Sequence, residues 1–367
     1  MKQIKFSSEE VISKHWMIVA LRDVLKEEFI GIEKVIDKVV DSLSSWFILP
    51  ELQERPVVIN LLGMTCEEKK MLAVRIAELL NLEKQLLRCD MENNTMSSSW
   101  LEEMLNNHFL TQKDLPLMVI LDEFQYAKTK NEDNRAMDDS SSRIIWDMLN
   151  AANPDPMPPN AELKFDFSKT VILMVGNLDE PFSVNSEFNQ KINSNDFHES
   201  SEIINRNYLK KVVRQRLKNK QISRSGNNHI FFPASSEASF FQLIELELQK
   251  IKEKYYGQLG IQLKFTLAFK KLLYEEGVLP TQGRRPLFST IDKMVNTKIP
   301  MLVYENLSNN LDADMILFDF VNGMINYEYY KEGWPLYNFD ESVLSVIDEA
   351  PVNLIGSFVG SIFGNKN

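Results

Sequence analysis

Residues 117–126, LMVILDEFQY, carry the reading that decides the fold. Met118, Val119, Ile120 and Leu121 form an unbroken apolar run behind Leu117, approached past Asp114 and Pro116. A short run bounded by turn residues and lacking polar alternation predicts a strand buried on both faces, as in a parallel sheet. Asp122 and Glu123 then stand at its carboxyl end, where open α/β sheets place their ligands. In nucleotide hydrolases the first acid of such a pair orients magnesium and the second polarises the attacking water. Taken alone, the stretch is equally compatible with an ordinary strand that closes in a solvated acidic turn, because the pattern is short and common.

Upstream, VVINLL (57–62) predicts a second buried strand, and MLAVRIAELLNL (71–82) has helical periodicity. Between them lies Gly63-Met64-Thr65-Cys66-Glu67-Glu68-Lys69-Lys70. A strand, a loop and a helix in this order are the context of a phosphate-binding loop, G-x-x-x-x-G-K-[ST]. Gly63 and Lys69 occupy the pattern's positions, but Glu68 replaces the second Gly and Lys70 replaces the Ser/Thr. A carboxylate repels polyphosphate, and Glu adopts positive φ less readily than Gly. An ammonium cannot ligate a cation. LEKQLLRCDM (82–91) predicts a third strand ending at Asp90, and SSSWLEEMLNNHFL (97–110) a helix with a Ser N-cap.

Downstream, KTKNEDNRAMDDSSS (128–142) is polar and predicts a loop, followed by the helix of SRIIWDMLNAA and the Pro-rich PDPMPPN. DFSKTVILMVGNLDE (166–180) supplies a further buried strand with Gly176-Asn177 at its end. Asn177 there can hold an attacking water or a γ-phosphate, or simply form a turn. NYLKKVVRQRLKNKQISR (207–224) predicts a basic helix carrying Arg214 and Arg216, and HIFFPA a short strand. From Ser236 onward, periodic helices end near Gly257–Gly260 and at Gly277. Gly283-Arg284-Arg285-Pro286 opens another, and MILFDFVNGMINYEYY predicts a hairpin turning at Asn322-Gly323. In the tail, Gly356, Gly360 and Gly364 form a small-residue stripe within 352–364. Membrane or partner-helix contact through that stripe competes with a packed or frayed terminus.

Composition narrows the classes. The chain of 367 residues is 25% charged and 44% hydrophobic, as expected of a globular protein of two or three domains. A net charge of -11 argues against nucleic acid or anionic membrane as a general partner. MKQIKFSSEE lacks the apolar core of a secretory signal, and Cys66 and Cys89 make neither a disulfide framework nor a metal knuckle. A cytoplasmic location is the expectation.

Together these segments resemble the AAA+ ATPase module of the Clp/heat-shock-100 unfoldases, particularly its C-terminal type, over roughly 20–330. LRDVLKEEFIGIEKVIDKVVDSL is similar to the family's opening helices with their Ile-Gly-Gln box, here Ile30-Gly31-Ile32. VVINLLGMTCEEKKMLAVRIAELL matches the Walker A strand, loop and helix, and VILDE the Walker B strand. The strand ending at Asn177 resembles sensor 1, RQRL the arginine-finger segment, and GRRP the sensor 2 box.

The resemblance implies an AAA+ P-loop NTPase core, α/β with a parallel sheet flanked by helices, followed by a smaller helical and α+β lid domain. The expected boundaries are 1–235, 236–331 and a tail, 332–367. It implies ATP or ADP with Mg2+ as cofactors, bound through Ile30, Gly63, Thr65, Lys69, Lys70 and Arg285. Asp122 would orient the metal, Glu123 would polarise water, Asn177 would position it, and Arg216 (with Arg214 as its rival) would reach a neighbour's γ-phosphate. Two features depart from the family: the altered Walker A loop, and the lack of an aromatic-Gly pore loop between Asp90 and the Walker B strand.

Three functions are compatible with this. One is a degenerate, pseudo-ATPase subunit that works by assembly with itself or a paralogous AAA+ subunit. Another is an active, divergent ATPase that remodels a protein client. The third is a scaffold that keeps only the fold.

Overall fold

The computed structural model describes residues 7–64, 68–92, 103–108, 115–126, 143–150, 166–177, 192–203, 211 and 219–340. The expected 128–142 loop, most of the basic 207–224 helix and the 352–364 stripe lie outside them. The chain divides into two compact units, Met1–Ser239 with Leu279–Arg285, and Phe240–Val278 with Pro286–Asn367.

The first unit is built on five parallel strands: β1 (Val57–Gly63), β2 (Leu86–Asp90), β3 (Leu117–Asp122), β4 (Thr170–Asn177) and β5 (His229–Phe232). Their order is β2-β3-β4-β1-β5. Each neighbouring pair is parallel, so every carboxyl end lies along one edge. The apolar run of β3 is unbroken because both faces of the sheet are covered. Met118 and Ile120 join one buried cluster while Leu117, Val119 and Leu121 join the other, as the two-residue period of a strand requires. β4 divides in the same way, with Val171, Leu173 and Val175 against Ile172 and Met174.

The first cluster is completed by helices α1 (Ser8–Glu28), α2 (Glu33–Ile48) and α3 (Glu68–Leu79). In α2, Val35, Ile36, Val39, Val40, Leu43, Trp46 and Phe47 recur at helical spacing and are all buried. The Trp46 indole N–H donates to the Lys169 carbonyl at 2.8 Å, which satisfies the polar end of a wholly buried ring. On the other face, the helix Arg143–Asn150 contributes Ile145, Trp146, Met148 and Leu149. Between α1 and α2 the chain turns at Gly31, whose φ of 76° suits glycine. A Cβ there would lie 2.4 Å from the Ser239 hydroxyl oxygen, so the position is closed sterically as well.

The second unit carries a sheet of β6 (Gln262–Phe265), β7 (Met315–Val321), β8 (Met324–Lys331) and β9 (Trp334–Asp340), in that order. β6 and β7 are parallel, and β7, β8 and β9 form an antiparallel meander. Both meander turns place two residues at positive φ, Asn322-Gly323 (54° and 83°) and Glu332-Gly333 (50° and 83°), as tight hairpins demand. Phe265, Phe269, Phe318 and Tyr327 pack as an aromatic cluster, with the Phe318 ring 4.9 Å from Phe265, 5.6 Å from Phe269 and 5.1 Å from Tyr327. Beyond the expected hairpin, β9 is an additional strand. Glu332-Gly333 provides its turn, whereas Pro335 disguises it by interrupting the strand pattern.

Candidate functional site

The carboxyl edge of the first unit's sheet brings together residues far apart in sequence. In the strand register Gly63 lies opposite Asn177, and Asp90 opposite Asp122. Gly63 is closely packed: a Cβ would lie 3.0 Å from both the Cβ and the carbonyl oxygen of Phe232 on β5. Beyond Gly63, α3 begins at Glu68, so Glu68, Lys69 and Lys70 fill its first turn. Successive helical residues diverge by about 100°. Three adjacent charged side chains are therefore sent to three separate partners.

The fully buried Lys69 donates its Nζ to the Met64 carbonyl, within the loop itself. Lys70 forms an ion pair with the carboxylate of Asp122 across the loop. Glu68 pairs with Arg284. Arg284 is 5% exposed and is held on two further sides, with Nε donating to the Ser235 hydroxyl at 2.8 Å and Nη2 to the Ile30 carbonyl at 2.6 Å. All of these residues belong to the first unit. Burial pushes the Glu68 carboxyl above its ordinary range, while the Arg284 and Lys69 charges pull it down.

A second group forms around Glu123. This residue has φ of 52°, a left-handed conformation that costs a non-glycine residue on the order of 1 kcal/mol. Its N–H donates to Asp122 Oδ1 at 3.0 Å, and its carbonyl accepts from Tyr126 N at 3.0 Å. Glu123 Oε2 accepts from Asn177 Nδ2 at 3.1 Å and from the Gln125 amide. Gln125 Oε1 in turn accepts the backbone N–H of Asn177 at 2.9 Å. Glu123, Gln125 and Asn177 thus close a triangle of hydrogen bonds.

Of the residues expected from the sequence, the structure gathers Gly63, Lys69, Lys70, Asp122, Glu123 and Asn177 at this edge. The Ile30 carbonyl meets Arg284. Arg285 is exposed at the start of the helix Arg285–Ile291. Thr65, Arg214 and Arg216 lie outside the described residues. Two residues passed over by the sequence reading are central to the geometry, Arg284 and Gln125. The signal for Arg284 was its doubled Arg in a box resembling Gly-Ala-Arg-Pro, matched by an unexpected acid at Glu68.

The donor set does not suit magnesium. Mg2+ requires oxygen ligands in a near-octahedral array, whereas the acid expected to orient it is paired with the Lys70 ammonium. Glu68, in the place of the pattern's second Gly, brings a carboxylate to the loop and pairs it with Arg284.

Residues 236–313 match the family described as the C-terminal, D2-small domain of ClpB protein. No curated protein matches the chain in sequence. Solved structures match its fold. A closed-state reconstruction of Hsp104 with ATPγS and casein is 18% identical with a TM-score of 0.60, and covers 86% of this chain and 52% of that one. The S. cerevisiae Hsp104–ADP complex is 18% identical with a TM-score of 0.58, covering 89% and 53%. The extended S. cerevisiae Hsp104–casein complex is 18% identical with a TM-score of 0.60, covering 87% and 52%. The chain spans about half the length of each. Residues 236–313 thus match the D2-small domain family of ClpB, and the chain as a whole shares the fold of the Hsp104 structures.

Proposed function

We propose that this chain is a pseudo-ATPase subunit, one that keeps the AAA+ architecture for assembly and does not turn over nucleotide itself. One observation carries this reading: both replacements in the phosphate loop are paired inside the chain, Glu68 with Arg284 and Lys70 with Asp122. Glu68 and Lys70 each meet an opposite charge inside the chain, so the two replacements together add no net positive charge to the loop. A site for polyphosphate needs an excess of positive charge. The partner is another AAA+ subunit, identical or paralogous, whose γ-phosphate Arg216 would complete. Two of the three Hsp104 structures contain casein, and a protein client handled by the whole assembly is part of the same reading. In this reading Met1–Ser239 with Leu279–Arg285 serve as the large domain, and the second unit, whose sheet runs on through β9 past the expected boundary at 331, serves as the lid.

A second reading, that of an active divergent ATPase, is favoured by the ordered Glu123–Gln125–Asn177 triangle, since an idle site needs no such array. Phosphate release from ATP, measured for the wild type beside Glu123→Gln, separates the two. The pseudo-ATPase reading expects both at the background rate. Release by the wild type that the variant abolishes would favour the active enzyme.

A further inference from the structure

The pairings at α3 do more than block a ligand; they reproduce its charges. An AAA+ nucleotide would bring an anion to the cations of this edge and a divalent cation to Asp122. Here a carboxylate meets Arg284 and an ammonium meets Asp122, and both come from the first turn of α3, two positions apart. Arg284 is also tied to the Ile30 carbonyl and the Ser235 hydroxyl, so the guanidinium joins the turn before α2, the segment after β5 and the first turn of α3.

We propose that Glu68 and Lys70 are built-in occupants of this site, standing in for an anionic ligand at Arg284 and for a divalent cation at Asp122. This rests on the pseudo-ATPase reading. The site is then kept in a filled arrangement regardless of nucleotide supply, and its cations are a latent anion site masked by Glu68. An isolated buried guanidinium is costly, which is why a resident anion is needed once the exchangeable one is given up. The two departures from the loop pattern are therefore one device together with Arg284, a residue that departs from the sensor box at its own position.

The test uses the full chain and inorganic tripolyphosphate as the anion, followed by calorimetry. Glu68→Gln keeps the shape of the side chain and removes its charge. It is expected to bind tripolyphosphate at least about tenfold more tightly than the wild type, and Glu68→Gln/Arg284→Met to lose that gain. A folded Glu68→Gln protein with no gain, or a gain that persists without Arg284, would overturn the anion half. For the cation half, Lys70→Thr is expected to acquire a rise in thermal midpoint with Mg2+ alone, which the wild type lacks. No shift would overturn it.

Should Glu68→Gln fail to fold, a thermal comparison decides. Arg284→Met is expected to lower the midpoint, and Glu68→Leu/Arg284→Met to recover at least half of the loss. No recovery contradicts the pairing. ATP turnover by the wild type would sink the pseudo-ATPase reading instead, so the two failures are distinguishable.

Discussion

Arg284 and Glu68 are the pair on which single substitutions should act most strongly. Removing one partner of a buried ion pair leaves the other charge uncompensated and costs roughly 3–5 kcal/mol, whereas apolar replacement of both is often neutral. Arg284→Ala should therefore lower the stability measured by urea unfolding by about that amount. Glu68 adds a pH dependence. Its folded carboxyl lies above the ordinary value of 4.5, so its protonated form is favoured by folding. That contribution is full below the unfolded value and is lost as the pH rises through the folded one. The stability difference between wild type and Glu68→Gln should accordingly move in favour of the wild type as the pH falls from 7 toward about 4.5. Movement in the opposite direction would contradict the placement of Glu68. Cys89 offers a control: burial pushes its thiol up to about 12, so a thiol reagent should label it only on unfolding. The positions of Asp122, Glu123 and Asn177 were legible in the sequence because Asp122 and Asn177 close strongly apolar strand runs and Glu123 directly follows one. Arg284 was not, because its partner lies far off in the chain and a box motif directs attention to the residue beside the proline.

The turn between α1 and α2 and the meander of the second unit are the elements most open to test. Gly31→Ala combines φ of 76° with a Cβ 2.4 Å from the Ser239 hydroxyl. It should destabilise the protein by more than about 1 kcal/mol in thermal or urea unfolding. An unchanged midpoint would mean that this turn is not held as described. At this scale the sequence was most informative for the strands of the first unit, since runs covered on both faces have no rival reading at that length. The Asn322-Gly323 hairpin was equally plain, with the left-handed turn residues it requires. β9 was hidden by Pro335, although its partner Tyr330 and the Glu332-Gly333 turn place it unambiguously in the sheet. The interior of α1 shows a different limit. Ile18, Leu21 and Leu25 are buried while Ile12 and Trp16 are 56% and 64% exposed, and apolar spacing alone does not distinguish the two halves.

For the whole molecule, the pseudo-ATPase proposal carries an expectation about assembly, on a chain that shares the Hsp104 fold and whose residues 236–313 match the ClpB D2-small family. Among the described residues no helix is long and apolar enough to cross a membrane. Sedimentation of the purified chain should reveal an oligomer, or one formed on adding the AAA+ partner, and its size should not respond to ATP. A nucleotide-dependent change in size would mean that the site is open to ligand. The most direct measurement is calorimetric titration of the wild type with ATP and Mg2+, beside Lys69→Ala. The internal pairing of Glu68 and Lys70 predicts no binding in either protein. Micromolar binding by the wild type that disappears in Lys69→Ala would contradict it and show that the altered loop still holds phosphate.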